Sequence, residues 1–248
     1  MTDSGLVAET IGSTRLLRFN RPEKRNAVTA SMYEELDRQL READADAAIA
    51  AVVLTGEGAA FTAGNDLEDF LDSPPIGADA PVLRFLRSLV EVEVPIIAAV
   101  HGHAVGIGTT MLLHCDFAVA DESAVLSLPF VRLGLVPEAA SSLLLPRAVG
   151  PKLAASLLLT GEPLAAAAAL EVGLLTSVVA PGHALDAALA IATKLGALPR
   201  EAVRATRRLL HGPEEPTLAR IEREATVFAE RLGSAEFRAL AERVLERR

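Results

Sequence analysis

Glu138 is the one carboxylate in "GLVPEAASSLLLP", residues 134–146, where every other residue is uncharged. Such a group can take a proton from carbon and return it, provided its surroundings keep water from competing. Taken alone, a glutamate after a proline fits a solvated loop charge just as well. Two glycine turns carry a second kind of chemistry. In "GEGAAFTAGNDLEDF", Gly64 permits dihedrals closed to other residues, so that neighbouring N–H groups can point at negative charge on an oxygen. An ordinary turn capped by Asn65 or Asp66 accounts for the same residues. In "HGHAVGIGTTMLLHCD", glycines 102, 106 and 108 precede a helix start, whose first amides suit an anion or oxyanion. Tight packing of a helix on a strand explains those glycines equally well.

Other chemistries are poorly supported. The second turn is neither G-x-G-x-x-G nor a P-loop, since no lysine follows its last glycine. His101, His103 and His114 have no partners at metal-ligand spacing, and no metal or resident cofactor is expected. Cys115, the single cysteine, sits near Leu112, Leu113 and Phe117 and reads as a small buried hydrophobe. Ser141, His103 and Asp66 form no triad that the sequence supports, and no G-x-S-x-G elbow is present. A net charge of −9 and the absence of Trp argue against a nucleic-acid partner. No apolar run reaches the roughly 18 residues that span a membrane, and neither terminus carries a leader, peroxisomal or lipidation pattern. The expectation is a cytoplasmic protein with no membrane partner.

The elements that must hold these residues follow from periodicity. Strands are expected at 6–10 and 15–20 around the turn "IGST", and at "AAVVLTGEG" and "PIIAAV". Ser31 and Glu34 at capping-box spacing predict a helix whose apolar face carries Met32, Leu36 and Leu40. A second helix is expected at about 82–91, after the loop "DSPPIGADAP", and two short strands in "FAVADESAVLSLP". From Pro151 onward the pattern is helical, with breaks at "TGEP", "EVGLL", "LGALP" and "HGPEEP". The reading is an α/β core over 1–184 followed by a helical region over 185–248.

Together the motifs "NRPEKRNAV", "FTAGNDL", "AVHGHAVGIG…CD", "LPFVRLGLVPE" and "LTGEPLAAAAALEVGLLTSVV" resemble the crotonase, or enoyl-CoA hydratase/isomerase, superfamily in order and spacing. The resemblance implies a crotonase fold, a spiral of ββα turns with C-terminal helices that help build a homotrimer or dimer of trimers. It also implies an acyl-CoA thioester as ligand, the CoA being part of the substrate rather than a cofactor. The amides of Asn65 and Ile107 would form the oxyanion hole. Arg25, Ala27, Ala63, Gly64, Asp66, Leu67, Gly106 and Phe130 would contact substrate, with Lys24 or Arg25 meeting CoA phosphate.

The family's hydratases carry two glutamates, and the matching positions here hold Thr110 and Phe130. Glu138 instead matches the single glutamate of the peroxisomal-type 3-enoyl-CoA isomerases. Ala63 stands where that branch has Ser, and Ala139 where it often has Gly. The resemblance therefore implies an isomerase using one carboxylate, with Phe61, Phe130 and Leu135 as candidate pocket walls. The alternatives are another crotonase reaction such as hydration, or an acyl-CoA-binding protein without catalysis.

Overall fold

The structure is a computed structural model, which describes residues 5–72, 74–211 and 214–246. The first four residues and the last two, read above for address signals, lie outside the described residues. So do residue 73 of the "DSPPIGADAP" loop and residues 212 and 213 of the "HGPEEP" break.

The chain opens with β1 (Leu6–Ile11), β2 (Thr14–Phe19), α1 (Ala30–Ala45), β3 (Ala51–Gly56), α2 (Leu67–Asp72), α3 (Pro81–Glu91) and β4 (Ile96–Val100). The middle contains β5 (His103–Val105), α4 (Ile107–Thr110), β6 (Phe117–Asp121), β7 (Val125–Ser127), α5 (Ser141–Val149) and α6 (Pro151–Thr160). Next come β8 (Leu164–Ala165), α7 (Ala166–Glu171), β9 (Ser177–Val179) and α8 (Ala184–Gly196). The chain ends in α9 (Arg200–His211), α10 (Glu214–Leu232) and α11 (Ala235–Glu246).

One sheet runs β1-β2-β3-β4-β6-β9, antiparallel in the first pair and parallel beyond it. A smaller sheet runs β5-β7-β8. Strands β3 and β4 are apolar along their lengths because both of their faces are covered. Alternate residues make the division: Val52, Leu54 and Ala98 join Leu36 and Leu40 of α1 and Leu86 of α3 in the main core. On the other face, Ala51, Val53, Ile97 and Ala99 pack on Ala184, Ala188 and Ala192 of α8. The 184/185 division thus falls in the first turn of a helix packed flat on the sheet.

Three local features differ from expectation. Helix α1 is capped by Thr29, whose Oγ1 accepts the Met32 amide at 3.4 Å, so Ser31 lies inside the helix and is not its cap. Strand β5 lies within the segment read as a glycine turn. Strands β8 and β9 fall in the region read as helical. At two and three residues they are too short to display a period-2 pattern.

Candidate active site

The two glycine turns lie against each other. Thr62 donates its amide to His103 O at 3.0 Å and accepts from the Val105 amide at 3.0 Å, tying the "FTAGND" segment to β5. Gly64 has φ +87°, and a Cβ there would sit 2.8 Å from Val105 O. A Cβ on Gly108 would meet Thr62 Cγ2 at 2.6 Å. These two glycines thus explain the close approach.

The same arrangement presents two amides. Val28 bridges across Asn65 by donating to Gly64 O at 2.8 Å and accepting from the Asp66 amide at 2.9 Å. In that parallel pattern the N–H of Asn65 itself points away from Val28. Ile107 opens α4, where a first-turn amide has no intrahelical acceptor. The bonds to Gly106 O come from Thr109 and Thr110, each at 2.9 Å.

Glu138 is buried, 6 % exposed, in contrast to a solvated loop charge. Thr110 Oγ1 donates to its Oε1 at 2.5 Å. The backbone around it is pinned as well. Ser141 donates its amide and its hydroxyl to Glu138 O at 2.9 and 2.6 Å. Ala139 and Ala140 both hold left-handed dihedrals, at φ +54° and +55°. His114 Nε2 donates to Ala139 O at 2.8 Å, and burial lowers the pKa of this histidine to about 4, leaving the ring neutral at ordinary pH. The Tyr33 hydroxyl donates to Asn65 Oδ1. Burial first, then the charges of Glu138 and Asp69, raise the Tyr33 pKa, so the group stays a phenol.

Asn65, Glu138 and Ala139 line one cavity, closed by Phe70 of α2, Leu83 and Leu86 of α3, and Ile221 and Phe228 of α10. Phe70 and Phe228 meet edge to face at 6.0 Å. The cavity offers about 20 Å³, room for about one water and too little for an acyl chain. None of these wall residues was singled out in the sequence. The apolar stripe of "PVLRFLRSLVE" was the available signal, but it does not say what the stripe faces. Phe61, Phe130 and Leu135, read as candidate walls with core packing as their default role, lie in the same main core as Phe70, Leu83 and Phe228 but do not line this cavity.

The remaining expected contacts gather on one edge of the two turns. Arg25 is exposed at φ +50°, and its carbonyl accepts the Ala63 amide at 2.9 Å. Lys24 pairs with Glu68 at 3.0 Å. Leu67 begins α2 and packs partly buried on the core. Asp66 caps α2 through the Glu68 and Asp69 amides at 3.1 and 3.4 Å. It also accepts from Arg21, which donates to Ala27 O as well. Burial alone would raise the Asp66 pKa, but the Arg21 and backbone bonds outweigh it and hold the carboxyl below its ordinary value. Arg21 and Tyr33 are supports that the sequence reading missed.

A larger groove of about 660 Å³ lies between the start of β6 and α9. Its charged groups are paired within it, Arg207 and His211 each with Asp116. Among the described residues, no cluster of His, Cys, Asp and Glu suits a metal ion, and no helix is long and apolar enough to cross a membrane.

The model of the family "Enoyl-CoA hydratase/isomerase" matches residues 9–248. A "Probable enoyl-CoA hydratase" of Rhizobium meliloti (strain 1021) is 38% identical over 224 residues, 88% of this chain and 86% of the relative. Human "Enoyl-CoA delta isomerase 2" is 39% identical over 180 residues, 70% of this chain but only 45% of that longer protein. The crystal structure of an enoyl-CoA hydratase/isomerase from Pseudoalteromonas atlantica T6c superposes with a TM-score of 0.93 at 42% identity, over 98% of each chain.

Proposed function

The chain belongs to the enoyl-CoA hydratase/isomerase family and has the crotonase fold, and from that premise we propose that it moves the double bond of a 3-enoyl-CoA to the 2-position. The observation that carries this reading is the buried carboxylate of Glu138, which lines one cavity with Asn65. The two positions that match the hydratase glutamates hold Thr110 and Phe130, neither able to activate water.

The reaction needs one base. Glu138 takes a proton from carbon 2, and the electrons move into the thioester oxygen to give a dienolate. The Asn65 and Ile107 amides hold that oxyanion, and Glu138 returns the proton to carbon 4. Losing one such donor typically costs about 2.7–4 kcal/mol of transition-state stabilisation. Apolar walls at Phe70, Leu83 and Phe228 keep water from the dienolate. Arg25 and Lys24, on the exposed edge, face the CoA phosphates in this scheme. CoA is part of the substrate, no resident cofactor takes part, and the working assembly is a homotrimer or dimer of trimers.

Glu138→Gln keeps the shape and removes the base. Its conversion of 3-enoyl-CoA to 2-enoyl-CoA is expected to fall by at least about 10²-fold. Turnover like the wild type's sinks the assignment. Rapid hydration of crotonyl-CoA by the wild type, without 3-enoyl turnover, favours a hydratase. Thioester binding with neither 3-enoyl turnover nor proton exchange at carbon 2 in heavy water favours a binding protein.

A further inference from the structure

Thr110 sits on α4, three residues after the oxyanion donor Ile107, and it reaches the base directly. Its hydroxyl donates to Glu138 Oε1 at 2.5 Å, and both residues are buried. The same hydroxyl lies 3.5 Å from Ile107 O, a second acceptor within its own helix. One short helix thus carries the first oxyanion amide at its start and the anchor of the base at its end. The main chain beneath Glu138 is fixed independently by Ser141 and His114, while Thr110 bonds the carboxylate itself.

We propose that Thr110 is the positioning residue for the proton carrier: it anchors Glu138 through Oε1 and holds the carboxylate in the aim that carries a proton between carbon 2 and carbon 4. This inference rests on the isomerase reading above. The position that matches a hydratase glutamate is here reused, a hydroxyl aiming the one remaining carboxylate. The anchor acts on the ionised form. A carboxylate accepts a strong hydrogen bond from Thr110, while a carboxylic acid accepts a weaker one and the hydroxyl can turn towards Ile107 O. Atoms balance at each step, since the only proton that leaves carbon 2 is the one delivered to carbon 4.

The test uses Thr110→Val, of equal shape, and Thr110→Ser, which keeps the hydroxyl. A bond to the charged form favours ionisation, so removing it raises the carboxyl's apparent pKa. In Thr110→Val the acidic limb of the kcat/KM profile for 3-enoyl-CoA should move up by about one pH unit. The value of kcat should fall about tenfold from lost aim, with KM nearly unchanged. Thr110→Ser should recover both. The titratable neighbours do not mimic this: Tyr33 remains a phenol, and His114 gains its proton only near pH 4, below the direction of the shift. Thermal unfolding of the two variants identifies a mere folding defect, which Thr110→Ser and the pH limb would not follow. Unchanged limb and kcat in Thr110→Val, with Glu138→Gln inactive, overturn this inference and leave the isomerase reading standing. Full activity in Glu138→Gln overturns both.

Discussion

The turn that carries Glu138 uses backbone which alanine seldom adopts, and two side chains from one stretch of chain hold it there. Thr110 grips the carboxylate, and His114, four residues later, grips the Ala139 carbonyl. His114 does this as a neutral ring. Its pKa, lowered by burial from 6.5 to about 4, makes it a pH-dependent support. Between those values the unfolded chain binds a proton that the folded chain refuses. Stability is therefore complete above pH 6.5 and is lost as pH falls towards 4, by about 3 kcal/mol in all. His114→Gln keeps a donor for Ala139 O and removes the titration. Melting temperatures followed across that window should fall more steeply for the wild type than for the variant.

At the scale of elements, the proposed oxyanion pair depends on how closely the "AGND" turn lies against β5 and the start of α4. That contact is made by backbone, so it tolerates no side chain at Gly64. Gly64→Ala meets two obstacles, Val105 O at 2.8 Å and a φ of +87°. The left-handed dihedral alone costs about 1–2 kcal/mol. Relief by movement would carry the Asn65 amide away from Ile107. The expected result is a loss of about 10²-fold in kcat/KM with helical content retained, measured by steady-state kinetics and circular dichroism. Wild-type kinetics in Gly64→Ala would show that the amide pair does not depend on this approach.

For the whole molecule, the C-terminal helices close the site and are bolted to the sheet at one buried cluster. Arg207 of α9 donates through Nε to both Asp116 oxygens, at 3.0 and 2.8 Å, and through Nη1 to Val92 O. Asp116 also accepts from His211 at 2.9 Å and from the Ile96 amide at 2.8 Å, which links α9, β4 and the entry to β6. Removing one partner of such a pair typically costs about 3–5 kcal/mol. Arg207→Ala is expected to lower the urea midpoint accordingly. The pH response is a further check. Burial by itself would raise the Asp116 pKa, but the bonds from His211 and Arg207 outweigh it and the folded value is depressed. Its contribution is present above the ordinary carboxylate range, near 3.9, and is lost as pH falls below it. Acid unfolding of Asp116→Asn should show less of that loss.

Much of this was legible in the sequence. The hairpin, the buried strands "AVVLTG" and "IIAAV" and the helix over "PVLRFLRSLVE" follow from hydrophobic period, because burial on one face or two leaves a mark in the residues themselves. The glycines at 64 and 108 were visible as demands for space, and the five motifs pointed to the family. Tertiary structure alone decided what those features serve. The sequence could not separate a capped turn from an oxyanion turn: Asp66 caps α2, and the amide of Asn65 turns away from its neighbouring strand, the orientation that the proposed oxyanion role needs. Nor could it say whether Glu138 was solvated. Its burial and its bond to Thr110, 28 residues earlier, arise only when α4 and the loop before α5 meet. Local pattern records which face of a segment is apolar, but the partner that covers the face is set by packing between distant segments.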